Sequence, residues 1–173
     1  MRRLEVAGVR LGDSKRVLAK FPQAKKVPWG PTDREVYEIS RPNPQISLLV
    51  LTFRSGRVVK MELRYFNGPG ERSLRNAGDW TGLRDYMMNR FGPPTRSGKD
   101  VPLLTDLRQL NPAYSKFNGE WDFPRLKRRA HYIALSDDKG GIAVITFADT
   151  ASTAAVIPTT RPAGSTALPN PGF

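Results

Sequence analysis

Residues 46–66, ISLLVLTFRSGRVVKMELRYF, decide the fold that we predict for this chain. The first part, 46–53, is apolar at nearly every position, which predicts a strand with both faces buried in the middle of a sheet. Residues 57–66 alternate apolar and charged side chains, which predicts an antiparallel strand with one face in solvent. Gly56, between the two strands, can adopt the positive φ of a tight turn. This stretch therefore predicts a β-hairpin.

The solvent-facing side of the second strand is a candidate contact surface. It would carry Lys60, Glu62 and Arg64, because these charged residues alternate with apolar ones along the strand. Charged groups on an open sheet face can meet complementary charges on a partner protein. We therefore include these three residues in the predicted binding surface.

A short helix is predicted upstream of this hairpin, over residues 14–21. Asp13 or Ser14 can cap its first turn, because a short polar side chain accepts a hydrogen bond from a free backbone amide. Val17 lies on its apolar face, and Pro22 ends it.

The second half of the chain repeats this order. Asp79 can cap a helix over 80–90, and residues 129–135 and 142–147 predict the strands of a second hairpin. The long stretch between them, 95–123, is interpreted as mostly irregular.

The predicted fold class is therefore α+β, with two tandem units that each contain a helix and an antiparallel hairpin. The units cover residues 1–66 and 67–150. Residues 151–173 are rich in Ala, Thr and Pro, and Arg161 is their one charged residue. Such a composition buries too little apolar surface to fold, so we predict a disordered C-terminal tail.

Three segments resemble a known bacterial family. They are GDSKRVLAKFP at 12–22, LLVLTFRSGRV at 48–58 and YMMNRFGPP at 86–94. They are similar to segments of the small outer-membrane assembly lipoproteins (SmpA/BamE-like), in the tandem-repeat arrangement of the β-lactamase-inhibitory proteins. The resemblance implies a non-catalytic protein-binding module of the bacterial envelope. It carries no catalytic residue over to this chain.

The net charge points to a second class of partner. The chain has 28 Lys and Arg residues against 16 Asp and Glu, a formal charge of +12. A surplus of this size attracts polyanions such as nucleic acid, although it can also reflect solubility alone. Over residues 114–132 cations interleave with aromatic rings, a combination that binds single-stranded nucleic acid. The cations are Arg125, Lys127, Arg128 and Arg129, and the rings are Tyr114, Phe117, Trp121, Phe123 and Tyr132. The alternative is that the rings fold inward and the cations are only solvated.

Few residues are available for catalysis. The chain has no cysteine, which excludes disulfides and thiolate metal sites, and it has one histidine, His131. No nucleophile or orienting carboxylate accompanies His131 in sequence, so we predict a structural or surface role for it. Glu120 and Asp122 flank Trp121, and this is weak evidence for the paired carboxylates of a glycosidase. We therefore predict no enzyme activity, no cofactor and no metal site.

The predicted function is non-enzymatic binding of a protein partner in a bacterial envelope context. The predicted contact surfaces are the charged sheet face and the loop around Trp121. The alternative function is nucleic-acid binding through the Lys, Arg and aromatic residues of 114–132. No apolar run approaches the roughly 20 residues of a transmembrane helix. An upstream signal sequence in the gene would favour an envelope location. The lack of such a sequence would favour the cytoplasm.

Overall fold

The computed structural model describes residues 5–28, 32–43, 46–67, 77–98, 101, 115–137 and 140–150. The strands among them are β1 (Glu5–Val6), β2 (Val9–Arg10), β3 (Lys25–Val27), β4 (Glu35–Asn43), β5 (Ile46–Arg54), β6 (Arg57–Asn67), β7 (Arg96–Ser97), β8 (Ser115–Phe123), β9 (Arg128–Asp137) and β10 (Gly140–Asp149). The described residues also contain one α-helix, α1 (Ala77–Phe91), and two 3-10 segments, Lys15–Lys20 and Pro124–Leu126.

Eight of the strands form one antiparallel sheet. Their order is β3-β4-β5-β6-β10-β9-β8-β7, and β1 pairs with β2 separately. The two halves of the chain meet where β6 pairs with β10, with Leu63 opposite Ile145. Strands from both halves therefore share one sheet.

The two predicted hairpins are confirmed. β5 pairs with β6, and β9 pairs with β10. In the β5–β6 turn Ser55 and Gly56 have φ of 49° and 70°. A two-residue turn with both φ values positive matches the natural twist of paired strands, and glycine is the residue that adopts it most easily.

The predicted α+β fold of two helix-plus-hairpin units is wrong. The described residues form mostly antiparallel sheet, and each half contributes four strands to it rather than one hairpin. The predicted second helix is present as α1, but the predicted first helix is not an α-helix. The boundaries proposed at residues 66 and 150 stay predictions, and the predicted tail, 151–173, lies outside the described residues.

The first predicted helix is a 3-10 segment because its backbone is engaged elsewhere. Ser14 forms a β-bridge with Arg57, and its side chain caps nothing. The amide of Lys15 donates to the carbonyl of Gly56 at 3.0 Å. The backbone of Ser14 and Lys15 therefore bonds to the β5–β6 turn. The short segment that remains before Phe21 adopts the tighter 3-10 geometry.

The stretch predicted as irregular contains β7 and β8. Along β8 the rings of Phe117, Trp121 and Phe123 belong to or pack against the hydrophobic core, while Asn118 and Glu120 alternate with them on the other side. Polar residues and Gly119 have low strand propensity, which hides this strand from a propensity argument.

One face of the sheet, which we call the core face, carries the hydrophobic core. Val17 of the first 3-10 segment, Phe21 directly after it and Met87 of α1 belong to the same cluster of buried residues. The sheet residues of this cluster include Leu49, Leu51, Phe53, Met61, Leu63, Trp121, Tyr132, Ile145 and Phe147. We call the opposite side the second face.

The outermost strands of the sheet are short. β3 has three residues and β7 has two, whereas β4 and β8 have nine each. The pairing of β4 with β5 shifts register between Ser40 and Asn43, where Arg41 has a φ of 43°. Pro42 lies in the same irregularity and has no N–H to donate.

Candidate functional site

Lys60, Glu62 and Arg64 lie on one face of β6, as the alternation predicts, but the prediction that this face is in solvent is wrong. The side chain of Glu62 is 5% exposed, and those of Lys60 and Arg64 are 16% exposed. Both cations form ion pairs with Glu62, and Arg64 Nη2 lies 2.7 Å from Oε2. The three residues therefore form an ion-pair group in which Glu62 is buried and both cations are half-buried. Their role as a contact surface stays a prediction.

Glu62 belongs to a row of polar residues that crosses the second face. Thr146, His131, Glu120 and Arg96 follow it in register on β10, β9, β8 and β7. All of these except Arg96 are buried. Burial of polar and charged groups is costly unless each is paired, so the partners of each one matter.

His131 is held by an amide. Its Nε2 lies 2.6 Å from Asn118 Oδ1, and Asn118 Nδ2 donates to the carbonyl of Val101 at 3.0 Å. Because Nδ2 is the amide's donor, Oδ1 must accept, which assigns the proton to Nε2 and a lone pair to Nδ1. Nδ1 has no hydrogen-bond partner among the described residues. Burial, assisted by the charge of Lys60, lowers the pKa of His131 to about 4, so the ring is neutral at pH 7.

Glu120 is fully buried between two arginines. Arg96 donates to its Oε1 from Nε at 3.0 Å and from Nη2 at 2.5 Å. Arg129 Nη1 lies 3.6 Å from Oε2, which leaves that oxygen without a hydrogen bond. The hydrogen bonds to Glu120 raise the pKa of Arg96, as expected for a cation stabilised by a carboxylate.

The residue chosen as the centre of the second contact surface, Trp121, is in the core. Its side chain is buried, and Nε1 donates to the carbonyl of Gly92 at 2.8 Å. The ring of Phe91, at the end of α1, packs 6.3 Å from it between centroids. Trp121 therefore fixes α1 to the sheet, and the predicted loop around it is the strand β8.

The other described rings of the predicted stacking surface also face inward. Phe123 lies 5.4 Å from Phe91, and Phe117 lies 5.5 Å from Tyr132. Tyr132 is fully buried, and Tyr114 lies outside the described residues. The described rings are thus not available to stack on bases, as the alternative interpretation held.

The cations of this region differ in exposure and in whether they have an acidic partner. Arg125 and Lys127 are exposed in the turn between β8 and β9, where Lys127 adopts a φ of 50°. Arg128 is half-buried at the start of β9. Arg129 is 24% exposed and lies within ion-pair distance of Glu120 and Asp122.

The end of the sheet that carries this turn is basic. β6 begins at this end with Arg57, and β9 begins there with Arg128, which lies opposite Asp149, the last residue of β10. Arg57, Arg125, Lys127 and Arg128 form no ion pair among the described residues, and we call these four the basic end. With two strand spacings of about 4.8 Å between β6 and β9, the group extends over more than about 10 Å.

Other cations near this end are neutralised. Lys15 and Lys26 donate to the two carboxylate oxygens of Glu35 at 2.8 and 2.7 Å. These hydrogen bonds, that of Lys15 first, lower the pKa of Glu35 to about 2. Arg54 Nε lies 3.1 Å from Asp33. The four cations of the basic end therefore differ from Lys15, Lys26 and Arg54 in having no acidic partner among the described residues.

Comparisons with known proteins find no relative of this chain. No family model matches it, and no curated protein and no solved structure matches it significantly. The resemblance to the outer-membrane assembly lipoproteins is thus untested by them and stays a prediction, while the repeated helix-and-hairpin fold that it implies differs from the sheet observed. The chain is an antiparallel sheet protein with a basic end and a buried polar row.

Two further searches concern membranes and metals. No helix among the described residues is long and apolar enough to cross a membrane. In the same part of the chain, no group of three or more His, Cys, Asp or Glu side chains could hold a metal ion.

The buried polar row is the feature that sequence reasoning missed. Asn118, Glu120 and Asp122 alternate with Phe117, Trp121 and Phe123, a period of two that indicates a strand. The strand could therefore have been predicted from this alternation. The burial of its polar side could not, because alternation normally places polar residues in solvent.

Proposed function

We propose that this chain is a non-enzymatic binding protein and that the basic end binds the phosphate backbone of nucleic acid. The observation that carries the proposal is the set of four cations without ion pairs, Arg57, Arg125, Lys127 and Arg128. Cations without an acidic partner release counterions from a phosphate backbone on binding, whereas cations already paired with acids do so less readily. Of the four, Arg57 also donates to the carbonyl of Gly12 at 3.2 Å.

The described aromatic rings of this region pack against the core, and this limits the mode of binding. Trp121 and Tyr132 lie in the core and Phe123 is partly buried against it, which favours contacts to phosphate over contacts to stacked bases. Phosphate contacts carry no sequence information. We therefore expect no strong preference for one nucleotide sequence over another.

A protein partner, our first prediction from sequence, has less support. Trp121 is buried, and on the β6 face Glu62 is buried while Lys60 and Arg64 are half-buried and paired with it. An acidic protein partner would use the same four cations, so it is an outcome of the experiment below.

The test is fluorescence anisotropy with labelled mixed-sequence single strand and duplex, from about 50 to about 300 mM salt. We expect the log–log slope for the single strand to fall by about 1.4 in the double variant R125A/K127A, at about 0.7 per lost phosphate contact. The matched control is R84A/R90A, which removes the same charge from α1. It should leave the slope nearly unchanged.

Two results would overturn the proposal. One is wild-type binding that disappears by physiological salt. The other is an equal loss in both double variants, which would mean that only the net charge matters. In either case acidic protein partners become the next class to test.

A further inference from the structure

The part of the chain that precedes the first 3-10 segment is fixed to the basic end by its backbone. The amide of Gly12 donates to the carbonyl of Val58 at 2.8 Å, and the amide of Val58 donates to the carbonyl of Asp13 at 2.9 Å. Ser14 forms a β-bridge with Arg57, which belongs to the basic end. A second segment of the chain therefore lies at this end of the sheet.

The topology shows on which side of β6 this segment lies. One side of β6 pairs with β5, and the other side pairs with β10 as far as Lys60, which lies opposite Ala148. Because a strand has two hydrogen-bonding edges, Gly12 and Asp13 bond to Val58 on the edge that β10 occupies further along. The segment therefore continues the line of β10 at the end of the sheet.

This position adds Arg16 to the cations at the basic end. Arg16 is exposed, and its Cα lies within about 8 Å of that of Ser14, the bridge partner of Arg57. It forms no ion pair among the described residues. The acidic residue nearest to it in sequence is Asp13, whose carboxylate accepts from the backbone amide of Arg10 at 2.9 Å. Arg16 is therefore a fifth cation at this end without an acidic partner.

The side chain of Arg57 is directed towards the segment that carries Arg16. Its Nη1 donates to the carbonyl of Gly12 at 3.2 Å. A guanidinium group has five N–H donors, so this hydrogen bond leaves most of them for an anion. A side chain that is already oriented also loses less conformational freedom on binding than an unrestrained one. Arg57 therefore connects Arg16 to the other cations of the basic end.

We propose that Arg16 and the basic end form one continuous track for a nucleic-acid strand, which crosses the ends of β6, β10 and β9. The track rests on the proposed nucleic-acid function, and its ligand is an oligonucleotide backbone and not a single phosphate group. Arg57 and Arg128 are two strand spacings apart, about 10 Å. This distance corresponds to about three nucleotide steps at about 3.4 Å each. A ligand that reaches both cations therefore carries about four phosphates in a row.

Lys20 gives a matched control for Arg16, because both belong to the same 3-10 segment and both are exposed. The Nζ of Lys20 donates to the carbonyl of Gly8, between β1 and β2, at 2.9 Å. Four residues at a rise of about 2 Å each place Lys20 about 8 Å further along the segment. Its replacement by alanine removes the same charge from the same segment but not from the track.

The experiment measures the salt dependence of single-strand binding by fluorescence anisotropy in full-length R16A and K20A. We expect the log–log slope to fall by about 0.7 in R16A, one phosphate contact, and to stay nearly unchanged in K20A. R16K keeps the charge and should keep the slope of the wild type. Equal slopes in R16A and K20A overturn the track. If R125A/K127A still lowers the slope in that case, the proposed function stands without it. A wild type that binds no strand overturns both.

A competition experiment tests the ligand class. The labelled strand should be displaced by an oligothymidylate of about 12 nucleotides at a total phosphate concentration about a hundredfold below that of inorganic phosphate, because linked contacts reinforce one another. Equal displacement by inorganic phosphate would mean separate anion sites and overturns the track. Polyglutamate that displaces the strand better than oligothymidylate overturns the track and the proposed function together, because the ligand would then be an acidic chain.

Discussion

The variant Leu51→Asp is expected to be unfolded. Leu51 is fully buried on β5 and lies between Tyr37 of β4 and Met61 of β6 in the ladder. An aspartate there would put a charge among apolar side chains without a partner. An uncompensated buried charge costs several kcal/mol, and the apolar side chain is lost as well. Together these approach the roughly 5–15 kcal/mol that stabilise a typical domain.

Far-UV circular dichroism during thermal unfolding measures this result. The wild type should show strand signal and a cooperative transition, and Leu51→Asp should show neither. Leu126→Asp is the matched control, because Leu126 is 41% exposed in the β8–β9 turn. It should change the melting temperature little. A cooperative transition in Leu51→Asp would contradict the position of Leu51 in the core.

The second large effect is a loss of stability in mild acid. The pKa of His131 is lowered to about 4 in the folded protein, below its ordinary value of 6.5. The unfolded chain therefore binds the proton more readily, so stability is fully present above pH 6.5 and is lost as the pH falls towards 4. The expected loss between pH 7.5 and pH 5 is about 2 kcal/mol.

The groups around His131 explain why we assign the loss of stability in acid to this residue. Lys60, on the same face, disfavours a second positive charge, and Asn118 already occupies Nε2. Glu120 lies opposite in the ladder, but it is bonded to Arg96. The carboxylate of Glu35, whose pKa is lowered to about 2, does not titrate in this range.

Chemical denaturation at pH 7.5, 6 and 5 gives the free energy of unfolding for this comparison. His131→Gln is the control variant, since the amide stays neutral and can still donate to Asn118. It should be less stable than the wild type at pH 7.5 but nearly independent of pH down to pH 5. If both proteins lose the same stability on acidification, another group titrates and the assignment to His131 is wrong.

Strand pairing within hairpins was predictable because it depends on neighbouring residues. The alternation of residues 57–66 and the glycine of the β5–β6 turn were enough to place β6. The helix expected at 14–21 failed for a reason outside that segment. Ser14 and Lys15 bond to the β5–β6 turn, about 40 residues away, and no local pattern reports such a contact.

The candidate sites show the same division. Arg125 and Lys127 were chosen from charge, and both are exposed in the turn between β8 and β9, although their role as binding residues stays a prediction. The burial of Glu62, and the half-burial of Lys60 and Arg64 beside it, could not be predicted, since the pattern of one strand does not report what packs on its face. A sheet face with charges at alternate positions suggests solvent until the whole topology is known.

The irregularity in β4 has a consequence for self-association. An outer strand with regular, open hydrogen-bonding groups can recruit a strand from another molecule and start aggregation. β4 pairs with β3 over three residues, and beyond them come the twisted backbone at Arg41 and the ring of Pro42. An incoming strand could not pair regularly here, because Pro42 has no N–H to donate and the backbone at Arg41 departs from strand geometry. This edge of the sheet therefore resists growth into fibrils.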